Sequence, residues 1–443
     1  MILAAVLIFY LAIANLGAFF QLVAALRWSL SLVTWDRRED YDRLLAADFT
    51  PPVSFIVPAG THAGPEQAEH VDRLLSLRYP VYEVILVKEG VSEETPAVAG
   101  AFFMKRVDLR YRRVLETGEI LTLYRSDDAK LTLAEKEPGQ WGDAVNCGLN
   151  LARYPLVCLL EPPALPHPEN LLRLVKVRME AKKPIFRASG FTKAINGQEL
   201  EGLSLREERL PAGRMLRLFI AERLAAETGP AGGLHRAGLF PLPPKPLSIY
   251  HRGELMAAGG FGAGFSRQAA EVDVFLRVYG KVHAEKGDIS SFMLQGPAAL
   301  GRLPESLREQ LRQVRAENRQ LEEAFARRRK ELGKVAPMAD RLMLAFRRGF
   351  LQPAAMLEVL SYLILIPATA IGALDPMILG VFFAVALGLP ALTSAISVMA
   401  VQESFPLYPG SGLLLLLYAL LSNLGYRQLM SISTDWAALR WGS

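Results

Sequence analysis

The stretch Cys158 to Val175, CLLEPPALPHPENLLRLV, places one acid, Glu161, at the end of a strand-like run, with Pro162 and Pro163 directly behind it. A carboxylate at a strand end often holds a metal ion or faces a phosphate, and hard divalent cations take oxygen ligands. Proline supplies no side-chain oxygen, so Glu161 would have to work without the neighbour that such a site ordinarily needs. Six histidines, His62, His70, His167, His235, His251 and His283, are scattered, and none has a zinc-ligand spacing with a cysteine or another histidine. No Ser-His-Asp signature, Walker loop or Gly-x-Gly-x-x-Gly occurs, so acyl transfer and ATP hydrolysis are unsupported.

The elements that must position Glu161 alternate. VSFIVPA (53–59) reads as a buried strand, PEQAEHVDRLLSL (65–77) as a helix, and YEVILVKEG (82–90) as a second strand ended by glycine. AVNCGLNLAR (144–153) reads as a helix and LVCLLE (156–161) as another strand. This β-α-β order predicts an α/β fold, a mostly parallel sheet with helices on both faces. Ligands of such sheets sit outside the carboxyl ends of the strands. Pro58-Ala59-Gly60, Lys88-Glu89-Gly90 and Glu161-Pro162-Pro163 should therefore converge on one crevice.

Composition sets the surroundings of that crevice. The 443-residue chain is 51% hydrophobic and 21% charged, with a mean hydropathy of +0.20. It is too apolar for an ordinary soluble enzyme and too charged for a pure membrane bundle, so a soluble part of about 200–300 residues joined to membrane spans is expected. Residues 2–26 carry no charge and are long enough to span a bilayer as α-helical transmembrane sequence. Arg27, Arg37, Arg38 and Arg43 follow, which puts that side in the cytoplasm. Three further apolar segments lie at roughly 351–373, 376–401 and 411–430. Four full spans would leave the C-terminus outside. Arg427 and Arg440 argue for inside, which requires one segment to be re-entrant or interfacial. Cys147 and Cys158 read as reduced core residues of a cytosolic domain. The net charge of +5 suits a surface near anionic lipid and carries no nucleic-acid inference.

Taken together, PPVSFIVPA, LLSLRYPVYEVILVKEG and GDAVNCGLNLARYPLVCLLEPPALPHPENLLRLV resemble the nucleotide-sugar half of membrane-bound family 2 glycosyltransferases, the group that includes bacterial polysaccharide synthases. The resemblance covers most of residues 1–430. It implies a GT-A-like nucleotide-sugar-binding fold and a definite order of parts: an N-terminal transmembrane helix (1–30), the glycosyltransferase-like domain (51–300), amphipathic interfacial helices (301–350), about three transmembrane segments (351–430) and a tail (431–443). It implies inner-membrane lipids around a multi-pass chain with its catalytic-like domain in the cytoplasm. It also implies a nucleotide-sugar donor and Mg²⁺ or Mn²⁺ as cofactor in an active member, and no cofactor in an inactive one.

Carried over residue by residue, the strand-end acid of the family falls on Glu89, and the Asp before its Ala-Leu-Asn stretch is kept as Asp143, with Asn146, Gly148 and Asn150 also matching. Glu89 and Asp143 would touch the nucleotide. The Asp-x-Asp that carries the metal falls on Glu161-Pro162-Pro163, so Glu161 is the remaining metal ligand. AAGGFGAGF leads to the family's Glu-Asp pair, which here reads Ala270-Glu271 and leaves Glu271 as candidate general base. The Gln-x-x-Arg-Trp motif that touches the diphosphate falls on Gln313 to Glu317, with Gln313 in register and Arg315 one place early. The small acceptor-pocket stretch of the family reads PLPPKPLSIY (241–250), stiff and bulky.

These departures are correlated. Oriented groups of this kind each contribute about 3–4 kcal/mol to a transition state. Losing several costs many orders of magnitude in rate, at about 1.4 kcal/mol per tenfold. The sequence therefore points to a catalytically impaired scaffold or regulator of envelope or exopolysaccharide synthesis. The alternative is an active inverting transferase that moves a sugar from a nucleotide-sugar donor to a polysaccharide or lipid acceptor. It would use Glu161 with Glu89 or Asp143 for the metal and Glu271 as base. A lipid-linked sugar carrier without transfer activity is a third reading. The bland reading of the same acids is helix capping and first-turn complement to the helix dipole.

Within residues 305–330, Leu307, Leu311, Val314, Asn318, Leu321 and Phe325 form a heptad seam. It serves either to pack on the chain's own membrane-proximal surface or to pair with a second copy or a partner synthase. The run Arg327-Arg328-Arg329-Lys330 suits anionic headgroups.

Overall fold

The computed structural model describes residues 2–36, 45, 49–60, 65–108, 113–181, 184–228, 245–285, 290–335 and 352–439. Arg37, Arg38, Arg43, His62, His235, residues 241–244 of the proline-rich stretch and residues 336–350 lie outside them.

In chain order the elements are α1 (Ile2–Asp36), β1 (Val53–Gly60), α2 (Pro65–Leu75), β2 (Tyr82–Glu89), α3 (Thr95–Ala101), β3 (Lys105–Arg106), β4 (Ile120–Arg125) and β5 (Leu131–Lys136). Next come α4 (Trp141–Leu151), β6 (Leu156–Leu160), β7 (Leu165–Pro166), α5 (Pro168–Glu180), β8 (Ile185–Ala194), β9 (Leu200–Glu201), β10 (Ser204–Leu205) and α6 (Arg214–Thr228). After these follow β11 (Leu247–His251), α7 (Arg252–Ala257), α8 (Arg267–Ala284), β12 (Ser290–Gly301) and α9 (Leu307–Val335). The chain closes with α10 (Gln352–Ala370), α11 (Pro376–Phe383), a π-helical turn (Ala384–Gly388), α12 (Leu389–Ser404), α13 (Gly412–Ser422) and α14 (Tyr426–Leu439).

Ten strands form one mixed sheet in the order β3-β4-β5-β2-β1-β6-β11-β8-β12-β7. Its centre, β5-β2-β1-β6, is parallel, and antiparallel pairs appear towards both flanks. The expected α/β fold is present, with a mixed sheet. The central strands are apolar runs buried on both faces, which is what a sheet covered by helices on each side demands.

Strand alternation assigns each side chain to a face. Phe55, Val57, Leu86, Cys158 and Leu160 join one core with Val71 and Leu74 of α2 and Leu171 and Leu174 of α5. Ile56, Ile85, Val87, Val157 and Leu159 join the other with Val145 and Leu149 of α4 and Val272 and Phe275 of α8. Continuing the alternation past Val87 and Leu159 puts Glu89 and Glu161 on the face covered by α4 and α8. Both cysteines are buried and free, and burial raises the Cys147 thiol to about 12.

Among the described residues, two helices are apolar and long enough to cross a membrane, Ile2–Val23 and Pro376–Glu403. Met356–Ala370 is apolar and shorter, and Gly412–Ser422 with Tyr426–Ser433 form a pair bent by 60°.

Candidate functional site

The strand ends meet as the alternation requires. Parallel registry runs Val53–Tyr82 and Val53–Leu156, so Pro58 lies beside Val87 while β6 stops at Leu160, one residue before Glu161. A bulge between Pro58 and Gly60 ends the β1–β2 ladder, and Gly60 takes φ +59°, a conformation that suits glycine.

Glu161 does not face an open crevice alone. Its carboxylate is ion-paired with the Arg267 guanidinium in the first turn of α8. The Arg267 Nε also reaches Glu271 Oε1 at 3.3 Å, one helical turn along the same helix. On its other oxygen, Glu271 accepts from Arg187 Nη1 of β8 at 3.2 Å and from the Tyr250 hydroxyl of β11 at 2.9 Å. Glu271 is only 1% exposed. Burial and the adjacent Glu271 charge push the Tyr250 hydroxyl well above its ordinary value, so it stays protonated and donates. A general base must come within hydrogen-bond reach of the proton that it removes. Glu271 instead sits under the sheet end with both oxygens already engaged by three side chains.

Asp143 is likewise occupied. Its carboxylate is ion-paired with the fully buried Lys136 at the end of β5, and Oδ1 accepts the Gly118 N–H at 2.9 Å. The rest of the motif around Asp143 clips loops to α4. Asn146 accepts the Phe261 N–H and donates to the Phe261 carbonyl, each at 2.8 Å. Asn150 accepts the Val114 and Leu115 N–H groups at 3.1 and 3.0 Å and donates to the Leu115 carbonyl at 2.9 Å. Gly148 lets α4 lie against Ile56, where an added Cβ would collide. Trp141 stacks edge-on against Phe261 with ring centroids 5.5 Å apart. These residue types suit holding backbone in place.

Glu89 differs. It is half-buried at the end of β2 and makes no ion pair among the described residues. Its neighbour Lys88 points the other way, is buried, and donates to the Thr95 hydroxyl at 3.3 Å. Gln313 and Arg315 lie on α9. Gln313 donates to Glu317 of its own helix at 2.8 Å, and Arg315 is exposed. No hydrogen bond or ion pair among the described residues joins either to the Glu161–Arg267–Glu271 group.

A divalent ion would need several oxygens converging on one point. Pro163 has none to give, Glu161 is bonded to a guanidinium, and no three His, Cys, Asp or Glu side chains come together among the described residues. The residues present do not fit a divalent metal.

Sequence reasoning missed the three cations that define this region. Arg267 was legible as an i,i+4 partner of Glu271. Arg187 stands out as a charge inside the apolar strand IFRASGF, and Lys136 as a charge at the end of LTLAEK. A buried charge is kept only where it is paired.

No family model and no curated protein matches the chain. Among solved structures it is similar to a mannosyltransferase from Pyrobaculum calidifontis in complex with GDP-Man and Mn²⁺. The identity there is 17% and the TM-score 0.43, with 97% of each chain covered. It is also similar to glucosyl-3-phosphoglycerate synthase from Mycobacterium tuberculosis in complex with Mn²⁺, UDP and phosphoglyceric acid. That match has 14% identity and a TM-score of 0.38, over 65% of this chain and 82% of the other. The likeness is to glycosyltransferases.

Proposed function

We propose that this chain is a membrane-anchored, glycosyltransferase-like protein of envelope or exopolysaccharide assembly whose crevice no longer performs transfer. It acts as a scaffold or regulator beside an active synthase. One observation carries the reading. Three of the four crevice-side acids have a counter-cation from the chain itself: Asp143 with Lys136, Glu161 with Arg267, and Glu271 with Arg187 and Arg267. A donor's diphosphate would need a cation that is free to take its charge, and here those cations already hold carboxylates. The Arg27, Arg37, Arg38 and Arg43 positions after the first apolar segment support a cytoplasmic sheet.

The test titrates the detergent-solubilised protein with nucleoside-diphosphate sugars, with and without Mn²⁺. The expected result is no metal-dependent binding in the micromolar range and no turnover. In cells, Glu271→Gln brought to the wild-type protein level should support polysaccharide output as wild type does, while deletion lowers it. Metal-dependent micromolar binding with turnover, or a Glu271→Gln phenotype equal to deletion at normal protein level, overturns the proposal.

A further inference from the structure

The bent pair α13–α14 is apolar enough to be read as a fourth crossing, yet each half rests on helices of the sheet-bearing part. Leu415 and Ala419 of α13 share a core with Leu216, Ile220 and Leu224 of α6. Tyr426 and Met430 of α14 share one with Phe219 of α6 and with Leu307, Leu311 and Val314 of α9. The Tyr426 hydroxyl donates to Gln310 of α9 at 2.9 Å. Helix α9 is rich in charge and belongs in water or headgroups, not in hydrocarbon. The link into α13 is pinned to the sheet as well. The Tyr408 hydroxyl bonds both the Ala194 N–H and the Ala194 carbonyl at 3.1 Å, and the Arg173 guanidinium lies 5.1 Å from the centre of the Phe405 ring.

Either half alone, about 16 or 21 Å long, is shorter than a hydrocarbon core of about 30 Å, so the pair crosses only if its two ends are held on opposite sides. The start and the middle of the pair are thus both held to the sheet side. By contrast, the loop between α10 and α11 is placed at the opposite end: Leu374 and Phe382 pack with Ala4 and Leu11 near the start of α1.

The geometry points to α13–α14 as an elbow lying in the leaflet next to the sheet, with its exposed Leu413, Leu417, Leu424 and Leu429 facing lipid acyl chains. The chain then crosses three times, through α1, α10 and α11–α12, and its C-terminus emerges on the sheet side. A polar knot fixes the elbow to the spans. Glu358 of α10 accepts from Arg427 Nη2 at 2.9 Å and from Gln428 Nε2 at 2.6 Å, and Arg427 also reaches the Ala386 carbonyl of the π turn at 3.4 Å. Asn15 of α1 donates to the neighbouring Val385 carbonyl at 2.9 Å. Carbonyls freed by a π turn at bilayer depth need such donors. This inference stands or falls apart from the proposed function.

The experiment labels the full chain with a membrane-impermeant maleimide, first in intact right-side-out cells and then after the membrane is opened. Cys147 and Cys158 are buried and form a silent background. Single cysteines are placed at Glu93→Cys on the sheet side, at Ala373→Cys in the loop between α10 and α11, and after Ser443. The expected result is labelling of Ala373→Cys alone in intact cells, with the other two reacting only once the membrane is opened. Labelling of the C-terminal cysteine together with Ala373→Cys in intact cells means four crossings and overturns the elbow. Labelling of Ala373→Cys only together with Glu93→Cys removes the α10–α12 hairpin as a crossing and overturns it as well.

Discussion

Two buried carboxylates in this chain are built alike. Glu271 receives a tyrosine hydroxyl and two guanidinium groups, and Glu358 receives the Tyr362 hydroxyl at 2.9 Å, the Arg427 guanidinium and the Gln428 amide. What separates them is what else each arginine touches. Arg267 bridges Glu271 to Glu161, so that with Arg187 two acids that could have served a ligand close into one unit of balanced charge. Arg427 turns from Glu358 to a backbone carbonyl of another helix, so its pair joins segments that would otherwise slide. The pairing alone tells neither story, and the second contact decides which it is.

The comparison breaks most sharply at Glu358. Glu358→Leu strands Arg427 among apolar helices, and loss of one partner of a buried pair costs about 3–5 kcal/mol. The double variant Glu358→Leu with Arg427→Leu should recover much of that loss, because no charge remains to be solvated. Thermal unfolding in detergent reads both. Equal loss in the single and double variants would show that the two side chains are not coupled.

At the crevice the matching substitution is Arg187→Met. Glu271 keeps Arg267 and Tyr250, so the expected loss is smaller, about 3 kcal/mol by the same argument. A loss of nothing would mean that Arg187 is not what makes the burial of Glu271 tolerable.

A third test uses pH, away from both carboxylates. His70 is held near about 4 by burial and by Arg73, and His167 near about 4 by burial, Lys193 and Arg173. Both lie below the ordinary histidine value of about 6.5. Between those values the unfolded chain binds more protons than the folded one, so stability is complete above about pH 6.5 and falls as pH drops towards 4. From pH 7 to pH 5 each histidine should cost about 2 kcal/mol. His167→Gln should flatten its share of the slope, and an unchanged slope would remove His167 as a source.

The fold was legible because its signals are periodic and local. Val53–Gly60, Tyr82–Glu89 and Leu156–Leu160 are built on the apolar runs Phe55–Val57, Val84–Val87 and Leu156–Leu160 with turn residues beyond them, and they became the buried parallel centre. The positions of Glu89, Asp143, Glu161 and Glu271 at strand ends and helix starts were legible for the same reason. Their partners were legible only in part: Arg267 lies one turn before Glu271 on α8, whereas Lys136 and Arg187 reach Asp143 and Glu271 from the strands β5 and β8, outside any motif. Asn146 and Asn150 matched a motif by type, but their loop-holding bonds span 115 and 35 residues, and no local pattern carries that. The heptad seam is resolved in part. Leu307, Leu311 and Val314 are covered by the chain's own α6 and α14, while the side chains of Leu321 and Phe325 lie outside the described residues.

The smallest expected effect is the most discriminating. Glu161 is 40% exposed and its pair with Arg267 is open to water, so Glu161→Gln should change stability by less than about 1 kcal/mol. In a chain this size that moves the melting point by no more than about 4 °C. If Glu161 still held a metal for a transferred sugar, the same change would abolish polysaccharide output, because a neutral amide binds a divalent ion far more weakly than a carboxylate. If Glu161 only neutralises Arg267, output stays at the wild-type level, since Arg267 keeps Glu271. Measuring melting point and polysaccharide output on one variant therefore separates the two fates of the strand-end acid: little change in both supports the closed unit, and loss of output at an unchanged melting point restores the metal ligand.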